Sequence, residues 1–137
     1  MNARTLSQAG KPLHALLVDD DEFMVDLIGE LLRGLGITKV LTANNGTEGT
    51  KALDQAAVRP DVVVCDLNMP GADGFQFMEA LAQRNYDGGV ILISAMEARV
   101  LSSASLMAKF HRLNILATLE KPVNGPALAK ALGKLPH

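Results

Sequence analysis

Asp19, Asp20 and Asp21 follow the apolar run ALLV, Asp66 closes VVVC, Ser94 closes VILI, and Glu120-Lys121-Pro122 follow ILATL. Each group stands where a short apolar segment stops. Folding that lays those segments side by side therefore gathers carboxylates, a hydroxyl and an ammonium on one rim. Asp19, Asp20 and Asp66 carry −3 and Lys121 returns +1, which leaves −2 uncompensated in a small space. Like charges held that close take up protons or recruit a cation. A cluster of carboxylate and carbonyl oxygens with room for water suits a hard divalent ion such as Mg²⁺. Asp66, at the tip of a buried segment, would stand beside that ion with Lys121 opposite. Its carboxylate could then act as a nucleophile toward phosphorus, because both cations neutralise the equatorial oxygens of a transferring phosphoryl group.

The elements that must position these groups alternate strictly. Leu13 to Val18, Lys39 to Ala43, Asp61 to Asp66, Val90 to Ser94 and Ile115 to Leu119 read as strands. VVVC is apolar on both faces, as the middle of a parallel sheet requires. From Glu22 onward Met24, Leu27, Ile28, Leu31, Leu32 and Leu35 recur at three- and four-residue steps, one face of a helix that Gly34 and Gly36 bring to an end. Asn44-Asn45-Gly46 is a turn, Thr47 caps a helix running to about Val58, and Arg59-Pro60 breaks it. Further helices are predicted over Phe75 to Arg84, Val100 to Leu113 and Pro126 to Leu132. Five strands alternating with five helices, joined by right-handed crossovers, predict an α/β fold: a doubly wound parallel sheet covered on both faces. Ligands of such sheets bind outside the carboxyl ends of the strands, which is where the reactive groups fall.

Residues 1–12 read as a polar lead-in and 13–135 as one domain, which suits a chain of 137 residues. Thirteen Lys+Arg against 15 Asp+Glu give a net charge of −2 and no basic stripe, which argues against nucleic-acid binding by this domain. The single cysteine excludes an internal disulfide and a multi-cysteine metal knuckle, and it suits a reducing, cytoplasmic setting. No apolar run nears the roughly 18 residues of a membrane span, so no membrane partner is expected.

LLVDDDEFM, VVVCDLNMPGADGFQFM, VILISA and EKP, in this order and on these elements, resemble the receiver domain of bacterial two-component response regulators. The resemblance runs from about Leu13 to Leu132 and implies the flavodoxin-like strand order 2-1-3-4-5. It implies a signalling module rather than a turnover enzyme, with Asp66 accepting a phosphoryl group from a phosphohistidine. The donor would be a sensor histidine kinase or a phosphotransfer protein. Asp19 and Asp20 would hold Mg²⁺, Asp20 more directly and Asp19 largely through water, and Asn68 would lend its backbone carbonyl. Ser94 would swing to a phosphoryl oxygen, Lys121 would pair with it, and Pro122 would follow through a cis peptide. The face formed by strand four, helix four and strand five would then switch toward an output domain or partner. RLNILATLEKP is also similar to receivers fused to cyclic-di-GMP phosphodiesterase domains, though no such domain lies within these residues.

Two positions depart from the family pattern. Thr118 stands three before the lysine, where an aromatic residue usually reports the state of the site, and the stretch from Ser94 to Lys121 is longer by more than one helical turn. These departures motivate an alternative, a phosphorylation-independent interaction module on the same fold. A phosphohydrolase of the haloacid dehalogenase type, reading Asp19 and Asp21 as its acid pair, would need a cap domain that is absent from this sequence, and a flavin mononucleotide site would be repelled by the acidic loop. Ordinary roles account for the rest: Asp21 as a helix cap, Cys65, Met69 and Met78 as packing, His14, His111 and His137 without a second ligand nearby, and Gly71 and Gly74 as marks of the loop after strand three.

Overall fold

The structure, a computed structural model, describes residues 13–67, 69, 73–94 and 112–135. Its elements in chain order are β1 (His14–Val18), α1 (Glu22–Gly34), β2 (Lys39–Ala43), α2 (Gly46–Gln55), β3 (Val62–Asp66), α3 (Asp73–Gln83), β4 (Gly89–Ser94), β5 (Asn114–Glu120) and α4 (Gly125–Leu132). The five strands form one parallel sheet in the order β2-β1-β3-β4-β5. The chain winds outward from β1 to β2, then returns to start the other half at β3, so the topological switch point lies between β1 and β3. Asp19 and Asp66 stand on the two sides of that point. Four helices lie among the described residues; the helix expected over Val100 to Leu113 falls almost wholly outside them.

Alternation along the buried strands feeds two cores. Leu16, Val18, Val63, Cys65, Val90 and Leu92 face Leu53 of α2 and Phe77, Met78 and Leu81 of α3. Ala15, Leu17, Val62, Val64, Ile91 and Ile93 face Met24, Ile28 and Leu32 of α1 and Leu128 and Leu132 of α4. Every residue of β3 and β4 is buried, as strands covered on both faces must be. At about 1.5–3 kcal/mol for each fully buried large apolar side chain, these layers fix the height and tilt of the strand tips.

Local chemistry sets the element ends. Asp21 caps α1, its carboxylate accepting from Phe23 N at 3.0 Å, and Gly36 at φ 97° takes the chain out of that helix. For α2 the cap is Asn45 rather than Thr47: the Asn45 side-chain oxygen accepts from Glu48 N at 2.8 Å. Thr47 sits inside the first turn. The helix stops at Gln55, three residues short of Val58, because Ala56 already has extended backbone at ψ 130°.

β5 carries one residue more than β4 opposite it. Val90 pairs with Ile115 and Ile91 with Ala117, which leaves Leu116 as a bulge. Leu116 and Ala117 therefore both face the α1/α4 side. Gly89 leaves room for the Leu116 side chain, and Lys134 Nζ donates to the Leu116 carbonyl at 2.8 Å.

Candidate functional site

The carboxyl rim of the sheet brings Asp19, Asp20, Asp66 and Lys121 together from three separate segments. One carboxylate oxygen from each of the three aspartates lies within 4.8 Å of the others. Asp19 and Asp66 are each 1% exposed, whereas Asp20 is open to solvent. Lys121 Nζ donates to Asp66 Oδ2 at 3.2 Å and stands 3.9 Å from Asp19 Oδ2. The ammonium leans on Asp66 and only grazes Asp19.

That asymmetry leaves Asp19 poorly compensated. Its Oδ1 accepts from Asp21 N at 2.9 Å, but its buried Oδ2 has no hydrogen-bond partner among the described residues. Burial pushes the Asp19 carboxyl up to about 7, the Asp21 amide pulls it down, and the facing Asp66 charge pushes it up again. A buried acceptor with no donor, flanked by two further carboxylates, suits an ion such as Mg²⁺. Asp19, Asp20 and Asp66 are the residues that would hold it.

Ser94 ends β4 fully buried, opposite Glu120, and its carbonyl accepts from Lys121 N at 3.1 Å. The Lys121–Pro122 peptide is cis. Thr118 lies in β5 opposite Leu92 and is exposed. Asn68 lies outside the described residues, as do Gly71, His111 and His137. Gly74 is not a loop residue but the second residue of α3, buried against the end of β3. Cys65 and Met78 are fully buried and Met69 is 3% exposed, all in the core on the α2/α3 face.

The response regulator receiver domain family matches residues 15–133. The chain belongs to that family. Chemotaxis protein CheY of Listeria monocytogenes is 32% identical over 117 residues, which are 80% of this chain and 97% of that protein. The positive alginate biosynthesis regulatory protein of Pseudomonas aeruginosa is 32% identical over 124 residues, 89% of this chain and 46% of its own length. The receiver domain spans less than half the length of several curated relatives it matches. Among solved structures, a response regulator from Colwellia psychrerythraea superposes with a TM-score of 0.75 at 27% identity, covering 88% of this chain and 94% of that one. Receiver domains are signalling domains of two-component systems and bind Mg²⁺ through acidic residues. No helix among the described residues is long and apolar enough to cross a membrane.

Two features of this rim were not legible in the sequence. Gly74 carries no chemistry, and only the distances to its neighbours mark it. The unequal pairing of Asp19 and Asp66 with one ammonium rests on 0.7 Å, 3.9 against 3.2 Å.

Proposed function

We propose that Asp66 is a phosphoacceptor. A carboxylate oxygen of Asp66 attacks phosphorus in line with the bond to a histidine nitrogen of a sensor kinase or phosphotransfer protein. The P–N bond breaks, and the leaving imidazole keeps that electron pair and takes a proton. Lys121 Nζ faces the oxygens of the arriving group, and the Ser94 hydroxyl turns to donate to one of them. Asp19 and Asp20, together with Asp66 and the Asn68 carbonyl, would hold Mg²⁺, which when bound neutralises phosphoryl charge. Acylphosphate formation replaces −1 on Asp66 with about −2 and adds acceptor oxygens. Lys121 and Ser94 follow that charge and carry the ends of β5 and β4 with them. The phosphoryl group biases two arrangements of that face, and an output domain or partner reads the bias by binding them unequally.

The observation that supports this reading is the half-buried Lys121 at 3.2 Å from buried Asp66, beside an Asp19 oxygen with no hydrogen-bond partner among the described residues. Intact mass after incubation with acetyl phosphate and Mg²⁺ tests it. The parent gains one phosphoryl mass and Asp66→Asn gains none. No gain in a folded parent would instead favour the phosphorylation-independent interaction module, whose partner binding ignores donor and Mg²⁺.

A further inference from the structure

We infer that Gly74 is a positioning residue for the acceptor: its missing side chain lets the first turn of α3 rest on the backbone of Asp66 and fixes where the Asp66 carboxylate stands. This rests on the reading of Asp66 as phosphoacceptor. A Cβ placed at Gly74 would meet the Asp66 carbonyl oxygen at 3.0 Å, Leu67 Cα at 3.2 Å and Leu67 Cδ2 at 3.3 Å. Gly74 does not lie in the left-handed region, so space and not conformation requires glycine here.

Two of the three opposing atoms are backbone and have no rotamer to escape into. That backbone also has little slack. Asp66 pairs with Ile93 in the ladder, and Leu67 N donates to Ile93 O at 2.8 Å. An added methyl must therefore lift α3 or displace the tip of β3 by a few tenths of an ångström. The Asp66 carboxylate, 3.2 Å from Lys121 Nζ, moves with the tip.

Gly49 of α2 supplies an internal contrast. A Cβ there would meet Phe77 Cε1 and Val18 Cγ2, each at 3.0 Å. The clearance is the same, but these are side-chain atoms of the α2/α3 packing and not the backbone of Asp66 and Leu67. One glycine serves helix packing and the other serves the acceptor.

A misplacement of 1 Å costs on the order of 100-fold in rate, so a few tenths reads as about 3- to 10-fold. The test compares the parent, Gly74→Ala, Gly49→Ala and Asp66→Asn as 137-residue chains. It measures the rate of mass gain with acetyl phosphate and Mg²⁺, thermal melting, and the backbone amide resonances of Asp66 and Leu67. Gly74→Ala is expected to fold, to phosphorylate about 3- to 10-fold more slowly and to shift both amides. Gly49→Ala is expected to melt earlier, yet phosphorylate at the parental rate with both amides in place. Parental phosphorylation by Gly74→Ala, equal slowing in Gly49→Ala, or failure of Gly74→Ala to fold would each overturn the inference. A parent without mass gain, or an Asp66→Asn variant that gains it, would instead overturn the phosphoacceptor reading. The amide resonances still decide whether Gly74 holds the acceptor backbone in that case.

Discussion

At the amino end of the sheet the Tyr86 hydroxyl donates to Pro60 O at 2.9 Å, and Asp61 accepts from His14 N at 2.8 Å through its side chain and from Gly89 N at 3.0 Å through its carbonyl. Arg59 closes the end of α3 by donating to Arg84 O at 2.9 Å. At the carboxyl end, under the same two helical layers, three carboxylates gather, two of them share one ammonium, and a buried oxygen of Asp19 has no donor among the described residues. The amino end uses its polar groups on one another and gains rigidity. The carboxyl end keeps like charges side by side, at a cost in folding free energy. A satisfied network marks structure, and an unsatisfied one marks the place where a ligand or a reacting group completes the molecule.

Substitutions at the two ends should accordingly move stability in opposite directions. Tyr86→Ala removes a ring that is 3% exposed and strips Pro60 O of its donor, and it should lower the unfolding free energy by about 3–5 kcal/mol in urea melts. The folded fraction should still phosphorylate at the parental rate; a parallel loss of rate would break the division between the two ends. Asp19→Asn should stabilise the Mg²⁺-free protein by about 1–3 kcal/mol, because it removes an uncompensated buried charge that faces Asp66. The same variant should lose most of the roughly 2.7 kcal/mol that Mg²⁺ at a hundred times its Kd gives the parent. Titration calorimetry and melts with and without Mg²⁺ measure both halves of that exchange.

Tyr86→Phe keeps the ring and deletes one hydrogen bond, for an expected loss of about 0.5–1.5 kcal/mol. The smallest effect concerns alkaline pH. Burial, with the Asp61 and Asp87 charges, raises the Tyr86 phenol above its ordinary value of 10.0. The folded state then holds the proton more tightly than the unfolded chain does. The stability this confers is fully present below about pH 10 and is lost as pH rises beyond it. Tyr86→Phe should show a flatter decline than the parent in melts taken from pH 9 to 11, and identical slopes would exclude Tyr86 as the source.

Much of the fold was legible because its signals are local. VVVC, apolar on both faces, reads as an interior strand of a covered sheet, VILI as a short strand, and the 3–4 spacing from Met24 to Leu35 as a helix face. Where the reading slipped, two residues competed for one job. Asn45 and Thr47 are both able caps, and the choice fell to whichever side chain reached a free amide, which was Asn45 on Glu48 N. In β5 the regular alternation of a strand breaks at Leu116, where the bulge has room beside Gly89 and Lys134 reaches across from beyond α4. Neither is a property of the strand's own residues. Tyr86 and Asp61 went unremarked for a related reason: a tyrosine after a helix and an aspartate after a proline look like ordinary turn residues until their partners are known.

For the rim itself, residue types and order determined which groups would be present: acids after the first and third strands, a hydroxyl after the fourth and a lysine after the fifth. Parallel strands end on the same side, so that much follows from the chain alone. Tertiary packing decided how those groups share one another: that Lys121 stands on Asp66, that an oxygen of Asp19 is buried with no donor among the described residues, and that Gly74 sits under the Asp66 carbonyl. The reason is range. Strand ends are set by contacts a few residues apart, but separations of tenths of an ångström are set by two packed layers pressing on one sheet, and no short stretch of sequence carries that sum.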